Sequence, residues 1–176
     1  MQAPNALSLL RVALVPLVVI ALLVDFPGHL VAGALLFLVA SITDLLDGRL
    51  ARRSGNVTVF GTFVDSLADK LLISCTLIAL VSMGRVWAWA AMIVVAREFA
   101  VTGLRLVAAQ DEVISASRSG KLKMVVQVVA VLALILDTGH PLLNDALVVV
   151  MVAATVVSGV EYFVRGRRHL AASVSR

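Results

Sequence analysis

Four aspartates set the chemical problem in this sequence. Asp44, Asp47, Asp65 and Asp69 lie in or beside two strongly apolar segments, within the run D-L-L-D-G-R-L-A-R-R-S-G-N-V-T-V-F-G-T-F-V-D-S-L-A-D. An ionised carboxylate at the centre of a membrane helix costs roughly 2.5–3.5 kcal/mol on insertion scales. Four uncompensated ones would cost roughly 10 kcal/mol or more, which no packing role offsets. Bound divalent cations are the simplest compensation. Residues three and four apart share a helix face, so Asp44 neighbours Asp47 and Asp65 neighbours Asp69. Gly61 falls on the second stripe one turn earlier. If the two segments pack together, four carboxylates converge. Hard ions such as Mg²⁺ take carboxylate, water and phosphate oxygens. Four carboxylates suit a pair of such ions, which clamp a phosphoryl group during in-line displacement. Gly48 and Ala51 lack bulk, so a ligand could lie close to the backbone, and Arg52 could reach a phosphate as a planar fork.

The elements that must position these groups are long and apolar. The chain has 176 residues, 61% of them hydrophobic, and a mean hydropathy of +1.04. Globular domains run at about 45–50% apolar. The excess falls in blocks of spanning length, which predicts an all-α integral membrane protein with six transmembrane helices in a single membrane-embedded catalytic domain, residues 1–176. The blocks are Leu7 to Val24, Leu30 to about Leu46, Val57 to Met83, Val86 to Ala108, Met124 to Leu136 and Asp145 to Val164. The second continues in helical pattern to Arg52. Pro16 is expected to kink the first, which membrane helices tolerate. Met1 to Asn5 lacks a basic leader, so the first block reads as a span rather than a removable signal peptide. Trp87 and Trp89 sit where an aromatic belt would lie. Cys75 is the single cysteine, which excludes an intrachain disulfide and suggests a small buried residue.

The net charge is +4. In such a chain the surplus points to loops facing the cytoplasm and anionic lipid, not to nucleic acid. Arg52, Arg53, Arg118, Lys121, Lys123, Arg165, Arg167 and Arg168 fall on one set of linkers, against Arg85 on the other. That asymmetry predicts that both termini and the aspartate end are cytoplasmic, and the chain is expected to be a multi-pass protein of a bacterial-type inner membrane.

The spacing D-x2-D-G-x2-A-R-x8-G-x3-D-x3-D, complete from Asp44 to Asp69, resembles the signature of the CDP-alcohol phosphatidyltransferase family. The resemblance implies a six-helix membrane fold, a homodimer, and transfer of a phosphatidyl or related group from a CDP-linked donor to an alcohol with release of CMP. It also implies that Asp44, Asp47, Asp65 and Asp69 hold two Mg²⁺ or Mn²⁺ ions and that Asp69 is the general base. Gly48, Ala51, Arg52 and Gly61 would line the CDP pocket.

Further stretches resemble the branch that makes phosphatidylglycerophosphate from CDP-diacylglycerol and sn-glycerol 3-phosphate. They are N-A-L-S-L-L-R from Asn5 to Arg11, R-E-F-A-V-T-G-L-R from Arg97 to Arg105, S-A-S-R-S-G-K-L-K from Ser115 to Lys123, and Gln127. By that likeness Asn5 and Ser8 join the nucleotide site, although Ser8 stands where the branch commonly has Thr. Met124 likewise stands where Thr usually follows the second lysine. Arg105, Arg118 and Lys121 are candidates for the acceptor phosphate, since a dianion needs basic partners and Arg suits them best.

Plainer roles stand beside these. Lys70 would balance charge or snorkel. Arg97 and Glu98 could form a mutual or interhelical pair, and Arg118, Lys121 and Lys123 could face lipid headgroups. Rival functions are the same chemistry on inositol phosphate, serine or phosphatidylglycerol, and, in a different class, a divalent-cation transporter.

Overall fold

The computed structural model describes the backbone of residues 3–54, 59–108 and 118–174, and the side chains of residues 9–43, 67–104, 120 and 122–164. The described residues form six helices and no strand: α1 (Ala3–Leu23), α2 (His29–Ser54), α3 (Val59–Ser82), α4 (Ala88–Ala108), α5 (Arg118–Leu136) and α6 (Pro141–Val174). α1 packs along both α2 and α3, and α6 packs along both α4 and α5. The two groups of three are joined where α2 meets α5 and α3 meets α4.

Local chemistry sets the breaks. The α3–α4 turn passes through Gly84 at φ 71°, a left-handed conformation that costs glycine nothing. After α5 the chain reverses over four residues, with Asp137 itself left-handed at φ 57°. Its carboxylate accepts bonds from the Gly139 amide (3.2 Å) and Asn144 Nδ2 (2.9 Å), which fix the turn and the start of α6. Arg85 Nη1 reaches across from the α3–α4 turn to the carbonyl oxygens of Leu134 (3.1 Å) and Ile135, satisfying the last turn of α5. Its Nη2 lies 3.7 Å from Asp137.

The helices are apolar inside and out. Phe37, Leu77, Leu80, Leu134, Ile135 and Met151 are fully buried in one core. Outward positions are equally apolar: Leu35, Ile78, Met92, Leu122 and Val157 are 58–65% exposed. A helix hydrophobic all round belongs inside a large protein or in a bilayer. Among the described residues, Pro141–Val164 is long and apolar enough to cross a membrane, with a mean hydropathy of 2.2. Shorter apolar stretches are Leu9–Leu23, His29–Thr43 and Leu122–Leu136. The buried hydroxyls of Ser41 and Thr76 bond back to their own helices, to Phe37 O (2.8 Å) and Leu72 O (2.7 Å), which satisfies these two donors.

The two largest departures from the expected bounds are in α5 and α6. α5 begins at Arg118, six residues before the apolar block, because the basic residues preceding Met124 extend the helix instead of forming a loop. α6 runs on to Val174, through the basic segment that follows the Val164 end of the apolar block. Lys, Arg and Ala are good helix formers, and hydropathy is blind to helix that leaves the apolar zone.

Candidate functional site

The motif falls on two continuous helices. α2 carries Asp44, Asp47, Gly48, Ala51 and Arg52; α3 carries Gly61, Asp65 and Asp69. α2 and α3 touch each other, so the two aspartate pairs sit on neighbouring elements. The side chains of all of these except Asp69 lie outside the described residues, as do those of Asn5, Ser8, Arg105, Arg118 and Lys121. Among the described residues no cluster of three His, Cys, Asp or Glu is assembled.

Asp69 is described, and its setting is informative. Its half-buried carboxylate lies 4.0 Å from Lys70 Nζ. It lines a cavity of about 200 Å³ bounded by α2, α3, α4 and α5. One end of the cavity is polar, with Asp69, Lys70, Glu98 and Lys123; Leu38, Ile42, Leu72, Ile73, Val128 and Val129 form the apolar walls. The cavity therefore fits a molecule with a charged head and a hydrocarbon body.

The polar end is held by a buried ionic network. Glu98 on α4 accepts a hydrogen bond from Lys123 Nζ on α5, and both side chains are largely buried. Arg97 Nη1 approaches Glu98 at 3.5 Å, while Nη2 donates to Ser158 Oγ on α6 at 3.1 Å. Gly159 makes room for this crossing, since a Cβ there would meet Arg97 Cγ at 3.2 Å. Thus Arg97 and Glu98 form both the mutual contact and the interhelical ones. Lys123 faces the protein interior, not headgroups. Lys70, Glu98, Lys123 and Arg11 all act electrostatically on Asp69.

Two contributors were not singled out for this role by the sequence. Arg11 is fully buried on α1. The available signal was its place inside an apolar span, where an ionisable group is functional by default. Gln127 lines the same cavity one turn beyond Lys123, and its buried Nε2 has no hydrogen-bond partner.

Comparison with known proteins places the chain in a family. The family profile described as CDP-alcohol phosphatidyltransferase matches residues 1–160. A CDP-diacylglycerol–glycerol-3-phosphate 3-phosphatidyltransferase of Bacillus subtilis is 45% identical, over 91% of this chain and 92% of its own. A probable phosphatidylglycerophosphate synthase of Mycobacterium tuberculosis is 43% identical, over 94% of this chain and 82% of its own. A CDP-diacylglycerol–glycerol-3-phosphate 3-phosphatidyltransferase of Rickettsia bellii is 34% identical, over 91% and 92%. With an unbroken aspartate motif on adjoining helices and relatives matched along nearly their whole length, the chain belongs to the CDP-alcohol phosphatidyltransferase family.

Proposed function

We propose that this protein transfers the phosphatidyl group of CDP-diacylglycerol to sn-glycerol 3-phosphate, giving phosphatidylglycerophosphate and CMP in phospholipid biosynthesis. The observation that carries the reading is the Asp69 carboxylate at the charged end of an otherwise apolar cavity. The naming of relatives 43–45% identical over most of the chain supports the same substrates.

The sn-1 hydroxyl of the acceptor attacks the β-phosphorus of the donor. A new P–O bond forms, the bond to the CMP oxygen breaks, and the hydroxyl proton passes to Asp69. General-base assistance of this kind is worth typically 10²–10⁴-fold. Gly48, Ala51, Arg52 and Gly61, with Asn5 and Ser8, hold the CDP group; Arg105, Arg118 and Lys121 take the acceptor phosphate. The all-oxygen donor set of Asp44, Asp47, Asp65 and Asp69, on two touching helices, fits two Mg²⁺ or Mn²⁺ ions. Such ions supply neutralisation of the charge that builds on the pyrophosphate.

Six transmembrane passes follow in this reading. The shortest helix, α5, has 19 residues, enough for roughly 28 Å of the roughly 30 Å hydrocarbon core. The active site and both termini face the cytoplasm of a bacterial-type inner membrane, and the protein is a homodimer. CDP-diacylglycerol would enter from the bilayer and glycerol 3-phosphate from water.

The test offers CDP-diacylglycerol with glycerol 3-phosphate, inositol phosphate, serine or phosphatidylglycerol, one at a time, and measures CMP. Release with glycerol 3-phosphate alone is the expected result. Release with another acceptor reassigns the substrate. Mg²⁺ movement into proteoliposomes without any CDP-lipid, and no CMP release, would replace the enzyme with a transporter.

A further inference from the structure

We infer that Lys123 is a contact for the lipid-linked phosphate of the donor, and that Glu98 is the residue that positions it. The inference rests on the phosphatidyltransferase reading above and assigns a specific part of that site.

An ammonium group has three donors. Glu98 takes one, and it is the sole hydrogen-bond acceptor for Lys123 among the described residues. The remaining donors belong to a group that also lines the cavity shared with Asp69. A lysine placed only to neutralise Glu98 would be redundant, because Arg97 already stands 3.5 Å from the same carboxylate. A buried charged pair is moreover a weak source of net stability, and apolar residues of similar volume often replace one without loss. The pair is better explained by what it presents to the cavity than by what it adds to the fold.

The walls say which phosphate. Beyond Lys123 the lining is mostly apolar, with Leu72, Ile73, Val128 and Val129 beside the single amide of Gln127. A phosphate there must carry hydrocarbon, as the phosphatidyl phosphate does and glycerol 3-phosphate does not. Gln127 is the independent sign of an absent ligand. It shares a face with Lys123, about 6 Å further along α5. It is 3% exposed, and its amide Nε2 has no acceptor. Native proteins rarely leave such a donor unsatisfied. The terminal torsion of glutamine is broad, so the amide can turn to an oxygen of the glycerol backbone joined to that phosphate.

The experiment measures CMP release by the full-length protein in detergent–lipid micelles, varying CDP-diacylglycerol and glycerol 3-phosphate separately, and melting temperature alongside. A charged hydrogen bond of this kind predicts that Lys123→Met raises the KM for CDP-diacylglycerol roughly tenfold or more. The KM for glycerol 3-phosphate should stay within about twofold, and Lys123→Arg should retain most of the donor affinity. Glu98→Gln should raise the donor KM with Lys123 intact. The double variant Glu98→Gln with Lys123→Met leaves Arg97 its bond to Ser158 but not its carboxylate, so it should melt lower than wild type and keep the raised donor KM. A double variant with normal kinetics makes the pair merely structural and overturns the inference. So does an altered KM for glycerol 3-phosphate alone, or an equal change for both substrates. Active wild-type protein with unchanged variants sinks this assignment only; inactive wild-type protein sinks the function and the assignment together.

Discussion

At the scale of single residues, the proposed reaction makes Asp69 the general base. Asp69→Asn keeps the shape of the side chain and removes its basicity, so kcat should fall about 10²–10⁴-fold or more. Melting temperature should change little, because the carboxylate is half-buried and its neighbour Lys70 is 4.0 Å away, a loose contact. Chelation gives the second prediction. Excess EDTA should abolish CMP release, and Mg²⁺ or Mn²⁺ should restore it; activity untouched by EDTA would refute the metal assignment to Asp44, Asp47, Asp65 and Asp69. The sequence singles out this residue set because apolar helices seldom carry aspartates at intervals of three and four without something to compensate them. The ionic network was not fully legible. Glu98 and Lys123 are 25 residues apart on different helices, and a sequence gives no direct sign that two helix faces meet. Lys123, next to Lys121, reads as one more loop cation until α5 is seen to begin at Arg118.

At the scale of elements, an arginine on α4 adds a polar tie to its packing on α6. Arg97 crosses over Gly159 to reach Ser158. Gly159→Val should push Arg97 aside and lower stability by about 1–3 kcal/mol, the usual cost of overpacking. That exceeds the few tenths of a kcal/mol that valine regains over glycine in helix propensity. Thermal denaturation would check it, and an unchanged midpoint would show that the crossing is slack. The α5–α6 turn gives a pH prediction. The bonds from Asn144 and the Gly139 amide, with Arg85 nearby, hold the Asp137 carboxyl below the ordinary carboxylate range. A group depressed in the folded state contributes stability above its unfolded value, near 3.8, and loses it as pH falls through the folded value. Wild-type midpoints should therefore drop more steeply than those of Asp137→Asn once pH falls below about 4. Asn also tolerates the left-handed backbone, so the comparison isolates charge. Helix number was readable from hydropathy, and so were most of the approximate starts. The end of α6 was not, because its last turns are basic helix lying beyond the apolar block.

At the scale of the whole molecule, two groups of three helices share one apolar core, with the Glu98–Lys123 network toward one end of α5 and the Arg85–Asp137 pair at the other. Leu134 is fully buried in the core, near the end of α5 and away from Lys123. Leu134→Ala should cost about 2–5 kcal/mol of stability while both substrate KM values hold, since a cavity there touches no polar group of the site. A changed donor KM would mean that core and site are mechanically continuous. The pairing of α1 with α2 and α3, and of α6 with α4 and α5, could not be deduced from six similar apolar blocks. Helices hydrophobic on every side carry no marked face to predict a partner.

Gly159 has a consequence for how this chain can vary among relatives. Its missing methyl group and the aliphatic stem of Arg97 occupy one shared volume. A descendant could enlarge the first only after shortening the second. Substitutions at positions 97 and 159 are therefore expected to arrive in tandem, far apart in the gene yet inherited as one event.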